Sequence, residues 1–251
     1  MRVIDDHDEL VALCGGDTLC RWAAQGLDGR GRAWASEDGR GLAVAGTGIS
    51  RRDRIAFSGP PASVVPLVRD VLHEVGPTYR PLGDPPLIDA IIGGVPGLVV
   101  GKPFGWMERT ADRTGTHGGR GAHWLTDADL PEATALLETV SPGSDAMPGV
   151  PGVECWAGIR DDAGRLTALA ALAWSAPSVG LITGVAVHPE AQGQGLGHAV
   201  CDFVLAEALR RRGTAALMVD AWNEAAIRLY RRLGMSYRPT RAAYVDRPFM
   251  T

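Results

Sequence analysis

Residues 185–197 read Val-Ala-Val-His-Pro-Glu-Ala-Gln-Gly-Gln-Gly-Leu-Gly, and their chemistry is that of an anion site. Gly193, Gly195 and Gly197 stand at every second position, with Gln192 ahead of them and Gln194 between. Glycine lets the backbone take left-handed angles and approach a ligand with no Cβ in the way. Leu196, Gly197 and His198 open an amphipathic run, so the first free N–H groups of a helix would face that ligand with the positive end of its dipole. Further along, Asn223, Ile227 and Tyr230 are spaced by four and three, which puts them on one helix face. Glu154 begins a strand expected to face the same cleft and is the candidate general base. His188 and Glu190 flank the loop and read as solvated residues.

The surrounding pattern supplies elements to hold these groups. Leu181–Val187 reads as the strand entering the loop, and Leu196–Arg212 as the helix leaving it, with Arg210, Arg211 and Arg212 favouring its C-terminal dipole and Gly213 as its stop. Leu217–Asp220 is a strand, residues 223–233 a helix stopped by Gly234, and Met235–Tyr237 and Ala242–Val245 two short closing strands. Upstream lie a helix over Asp127–Val140, a loop over Ser141–Gly152, and a hairpin of Glu154–Arg160 with Leu166–Ser175.

The first half has a similar order: helical runs before Gly15 and Gly26, strands at Arg32–Ser36, Gly41–Ile49 and Arg54–Phe57, then a helix over Ser63–Glu74. Trp34-Ala35 before Asp38-Gly39-Arg40 echoes Trp156-Ala157 before Ala163-Gly164-Arg165. Residues 111–122 are polar and Gly-rich and read as a linker between residues 1–110 and 123–251. The expected fold class is α/β, of the α+β mixed-sheet kind. The first half carries Ser58-Gly59-Pro60-Pro61 where the second carries its Gly-rich loop. Two prolines remove two N–H donors, so that half should not bind an anion in the same manner.

Residues 185–197 resemble the acyl-CoA-binding segment of the GCN5-related N-acetyltransferases (the GNAT superfamily), with Gln192, Gly195 and Gly197 at the signature places. Residues 223–235 are similar to a second block of that family, Asn-x-x-Ala-x-x-Leu-Tyr-x-x-x-Gly-Phe, with Met235 at the usual Phe. The resemblance covers residues 123–245 well and the first half only as a degenerate copy. It implies a GNAT-like fold, with two copies packed as a pseudo-dimer, and acetyl-CoA as co-substrate. Val185, Ala186, Val187, Gln192, Gly193, Gln194, Gly195, Leu196, Gly197, His198 and Asn223 would bind the cofactor. The N–H of Val187 would help hold the thioester oxygen, and Tyr230 would protonate the leaving thiolate. A phenol, with an ordinary pKa of about 10, holds its proton at neutral pH as that task requires. The acceptor would be a primary amine on a small molecule or peptide, attacking directly.

Two other functions compete. A non-catalytic CoA-binding or regulatory module would need the loop and not Tyr230. A dinucleotide-binding oxidoreductase would use Gly-x-Gly-x-x-Gly, which the glycine spacing here does not match. Composition argues against other classes. The 251 residues carry a net charge of −4, and neither half has the basic excess of a nucleic-acid binder. The apolar stretch Leu87–Val100 is broken by Asp89, Pro96 and three glycines, so no membrane span is expected. Cys14, Cys20, Cys155 and Cys201 have no metal-ligand spacing and read as free thiols in a cytoplasmic protein, a monomer or a homodimer, with no metal.

Overall fold

A computed structural model describes residues 1–25, 31–111 and 121–246. Most of the linker expected over 111–122 lies outside the described residues. The chain forms two compact units. One comprises Met1–Trp106, Val219–Trp222 and Arg238–Thr251; the other comprises Met107–Met218 and Asn223–Tyr237.

The elements met first are β1 (Arg2–Ile4), α1 (His7–Cys14), α2 (Thr18–Ala23), β2 (Arg32–Ala35), β3 (Leu42–Ile49) and β4 (Arg52–Ser58). They continue as α3 (Pro61–Val75), β5 (Arg80–Gly83), α4 (Pro85–Gly94), β6 (Leu98–Val100) and β7 (Phe104–Thr110). Strands β1 to β4 pair in sequence as an antiparallel meander, and α3 then carries the chain over to β5, which lies parallel to β4. Strand β3 is buried at every position from Leu42 to Ala45, because helices cover both of its faces. Val64, Val68 and Leu72 of α3 and Ile88 and Ile91 of α4 share one core with Trp34 and Phe57.

The remaining elements are β8 (His123–Trp124), a 3-10 turn at Asp127–Asp129, α5 (Leu130–Val140), β9 (Val153–Arg160), β10 (Leu166–Ala173) and β11 (Gly180–Val187). After them come α6 (Leu196–Arg212), β12 (Thr214–Asp220), α7 (Glu224–Arg232) and β13 (Ser236–Val245). In the second unit β8 to β11 are again an antiparallel meander, and α6 again leads to a parallel neighbour, β12. Every residue of β10 is buried, with α5 and α6 both packed on it.

Two expectations need correction. The closing strands are one continuous β13, whose residues Arg241–Ala242 pair with β5 and Ala243–Val245 with β6. The Trp34/Trp156 echo also fails in register: Trp34 pairs with Ala43 near the hairpin turn, whereas Trp156 pairs with Ala171 far from it.

Candidate functional site

Strand β11 is made to diverge. Leu169 of β10 pairs with Ala186 and Ala171 with Thr183, so β11 carries one extra residue across that step. This is a β-bulge, and bulges bend and twist the strand that holds them. Gly184 sits in it at φ +60°, and a Cβ there would lie 2.5 Å from the Trp156 ring. Only glycine satisfies both demands. Pairing of β11 with β12 covers Gly180–Ile182, before the bulge. The His188 N–H donates to the Thr167 carbonyl at 2.8 Å, which makes 188/167 a hydrogen-bonded pair. In an antiparallel ladder the next pair, Val187/Ala168, then turns its N–H and C=O outward. Val187 therefore offers its N–H to the open edge.

The loop after Val187 is braced from within. Pro189–Ala191 form a 3-10 turn, the Gln192 side-chain amide donates to the Val187 carbonyl at 3.4 Å, and Arg165 pairs with Glu190 at 3.0 Å. Gly193 and Gly195 take φ +79° and +81°, and Gly195 is the N-cap of α6 with no side-chain cap. Among the described residues no protein acceptor takes the N–H groups from Gly193 through His198. All of these residues but Gln194 line a groove of about 520 Å³ whose walls are β11, the loop, the first turn of α6 and one side of α7. Gly197 is where the walls come closest: a Cβ there would meet Val187 at 3.3 Å and Leu229 at 3.4 Å. No carboxylate lines the groove, and its ionisable side chains are His198 and Arg232.

Helix α7 brings Asn223 to this groove. Its Oδ1 caps the helix by accepting the Ala226 N–H at 3.1 Å, which leaves the Nδ2 hydrogens as its donors. Tyr230 is buried and is not among the lining residues. Burial, with the Cys201 thiol adding to it, pushes the phenol well above the ordinary tyrosine range, so it carries its proton at neutral pH. Glu154 is not in the cleft. Its carboxylate accepts the Ser175 N–H at 3.0 Å and lies 3.6 Å from Arg212. Arg212 ends α6, roughly 24 Å of helix away from the groove. The expectation for Glu154 is thus corrected: it clamps the far end of the helix.

Val185, Ala186, Val187, Gln192, Gly193, Gly195, Leu196, Gly197, His198 and Asn223 all line the groove; Gln194 does not, and its amide reaches the Glu190 carbonyl at 3.4 Å. Sequence reasoning missed Ala225, Leu229 and Arg232 on α7 and the bulge at Gly184. Spacings of four and three gave a signal for the former, and a glycine inside an apolar strand for the latter. Among the described residues no group of His, Cys, Asp or Glu is placed to hold a metal ion, and no helix is long and apolar enough to cross a membrane.

Residues 132–235, which contain the loop, α6 and α7, match the family model of the Acetyltransferase (GNAT) family. A search of curated proteins finds no match to this sequence. Among solved structures, a GNAT-family protein from Novosphingobium aromaticivorans is 25% identical, with a TM-score of 0.50 over 76% of this chain and 86% of its own. A GCN5-related N-acetyltransferase from Kribbella flavida is 19% identical, with a TM-score of 0.54 over 89% of this chain and 93% of its own. One from Sphaerobacter thermophilus is 17% identical, with a TM-score of 0.57 over 94% and 90%. The last two establish likeness of fold alone. The mixed α/β fold is GNAT-like, and residues 132–235 are similar to the acetyltransferase domain of that family.

Proposed function

We propose that this chain moves the acetyl group of acetyl-CoA onto a primary amine. One observation carries the reading: the unclaimed N–H groups from Gly193 through His198 stand at the head of an open strand edge. Oriented backbone donors at a helix start suit a pyrophosphate. The Val185–Val187 edge suits the pantetheine amides, which would add to it as a strand does, and the Asn223 amide donates to the same arm. The amine nitrogen attacks the thioester carbonyl carbon, with the outward N–H of Val187 on the oxygen. The C–S bond then breaks, the thiolate takes the proton of Tyr230, and the proton that the acylated nitrogen sheds through solvent restores the phenol. The groove needs no metal for this.

We read the first unit as a degenerate copy of the second, in a tandem of residues 1–110 and 123–251. Supporting this is the repeated order of strand, helix, three-stranded meander, crossing helix, parallel strand and helix. We place the protein in the cytoplasm, as a monomer or homodimer, because its four cysteines are free thiols and three are buried.

The test is a thiol-release assay with acetyl-CoA against amines, aminoglycosides, amino acids and peptides. Release above hydrolysis with one class is the expected outcome. Tight acetyl-CoA binding with no release for any class would leave a CoA-binding regulatory module, the second reading, which the burial of Tyr230 favours.

A further inference from the structure

A second cavity, of about 400 Å³, lies wholly within the first unit. The β3–β4 turn, the link from α3 to β5 and the end of β13 line it, and the lining includes three arginines, Arg51, Arg52 and Arg80. Arg52 begins β4 and Ser58 ends it, so the cavity stands about 20 Å of strand away from the Gly59-Pro60 turn, which holds the place of the groove loop in this unit. It is therefore a separate site.

Charge sets it apart. Arg2, Arg32 and Arg238 of the same unit pair with Glu9 at 2.6 Å, Glu74 at 2.8 Å and Asp17 at 3.0 Å. Arg51, Arg52 and Arg80 make no ion pair among the described residues. The carboxylate in the lining, Asp53, is committed to the frame: its Oδ1 accepts the Gly48 N–H at 3.0 Å and its Oδ2 the Thr78 hydroxyl at 2.8 Å, tying the turn to the link. Three guanidiniums against one carboxylate leave two positive charges uncompensated.

The backbone adds a second sign. Ser50 and Arg51 take φ +51° and +56°, the left-handed pair of a two-residue hairpin turn, where Asn-Gly is the unstrained choice. An arginine held at such a position is local strain of the kind that gathers at ligand sites. The Arg80 guanidinium lies 5.9 Å from the centre of the Tyr244 ring, which is 39% exposed and gives the cavity a flat apolar wall.

We propose that this cavity binds a phosphomonoester. The dianion matches the two uncompensated charges, guanidinium forks match its oxygens, and the organic part of the ester rests on Tyr244. The site binds and does no chemistry, and it does not depend on the acyl-CoA reading.

The test is calorimetric titration of the full chain, at low and high salt, with phenyl phosphate, inorganic phosphate and dimethyl phosphate. Phenyl phosphate should bind, more weakly at high salt, and dimethyl phosphate, a monoanion, should bind about tenfold more weakly or worse. Inorganic phosphate bound as tightly as phenyl phosphate would make free phosphate the ligand of the same site; weaker binding would make it an organic ester. Arg52→Gln and Arg80→Gln should each cost about tenfold in phenyl phosphate affinity. Arg51→Gly should do the same without lowering Tm, since glycine suits the left-handed turn. Arg32→Gln, whose side chain already has a partner, should leave affinity intact. Absence of binding, binding unmoved by all three cavity variants, or dimethyl phosphate bound as well as phenyl phosphate (the mark of a nucleic-acid or lipid backbone) overturns the proposal.

Discussion

Two strand-to-helix turns hold the same place in the element order, one after β4 and one after β11, and they are built for different ends. The turn after β11 is long, with left-handed glycines at 193 and 195, and it leaves successive N–H groups without acceptors. The turn after β4 is only Gly59-Pro60. Pro61 then opens α3, and Gly59, at φ +121°, is pressed so close to the β2–β3 turn that a Cβ would lie 2.2 Å from the Arg40 carbonyl. One turn spends its glycines on open donors, the other on close packing. The next helices differ likewise. Asn223 caps α7 with its side chain, while Asp84, the N-cap of α4, makes no such bond; at the same distance past each cap stand Tyr230 and Ile91. The turn after β4 thus has prolines where the other has open donors, and α4 has Ile91 where α7 has a phenol.

Crossed glycine substitutions should separate the two roles, and they carry the largest expected effects. Gly197→Val places a branched side chain between Val187 and Leu229, filling the groove at its neck. Acetyl-CoA affinity should fall about 100-fold or more, since a Cβ at that spacing displaces ligand or wall, while Tm changes little. Gly59→Ala should do the reverse. Strain at positive φ and the contact with Arg40 together cost about 3 kcal/mol, roughly 10 °C in Tm, with affinity kept. Titration and thermal melts of both variants decide it; equal effects of each on both readouts would erase the contrast.

Tyr230→Phe comes next. It moves the second unit one step toward the Ile91 pattern without emptying the core. Loss of a general acid should lower kcat about 100-fold with KM for acetyl-CoA nearly unchanged. An unaltered kcat would make Tyr230 a packing residue beside Cys201. Asn223→Ala is smaller: loss of the cap costs about 1 kcal/mol of stability, and loss of the amide donors should raise KM for acetyl-CoA a few-fold. A stability loss with KM unmoved would confine Asn223 to capping.

The contrast between the turns was readable in advance because proline and glycine act locally: Pro60-Pro61 cannot donate N–H, and Gly193, Gly195 and Gly197 permit what other residues resist. The meander-helix-strand order was legible for the same reason, since turn residues punctuate it. Less legible was whatever depends on partners distant in sequence. Leu87–Ile92 is apolar without clear periodicity; its identity as helix α4 comes from Pro85-Pro86 at the first helical positions and burial on α3. β1 is three residues long and defined by pairing with β2. Glu154 was misplaced because period-2 alternation tells which face a strand residue takes and not which end of a helix lies over it.

The smallest expected effect asks what the two units still share. Each holds a turn or helix start with a carboxylate whose pKa is lowered to about 2. In the first unit the Ser36 hydroxyl, then the Ser63 hydroxyl and the Arg40 N–H, stabilise ionised Asp38. In the second the Thr126 N–H, then its hydroxyl and Arg160, stabilise ionised Asp129. Both values lie below those of the unfolded chain, so the unfolded state binds protons first as pH falls. The stabilisation is complete above about pH 4 and is lost between there and about pH 2. Urea midpoints measured at pH 5 and pH 3 should drop for the native protein, and drop less for Asp38→Asn and for Asp129→Asn, each of which removes one titrating group. A similar flattening from the two variants would mean that the anchors of the fold persist in both units where the donors of the groove persist in one. Flattening from Asp129→Asn alone would mean that the first unit has shed its electrostatic anchor along with its loop.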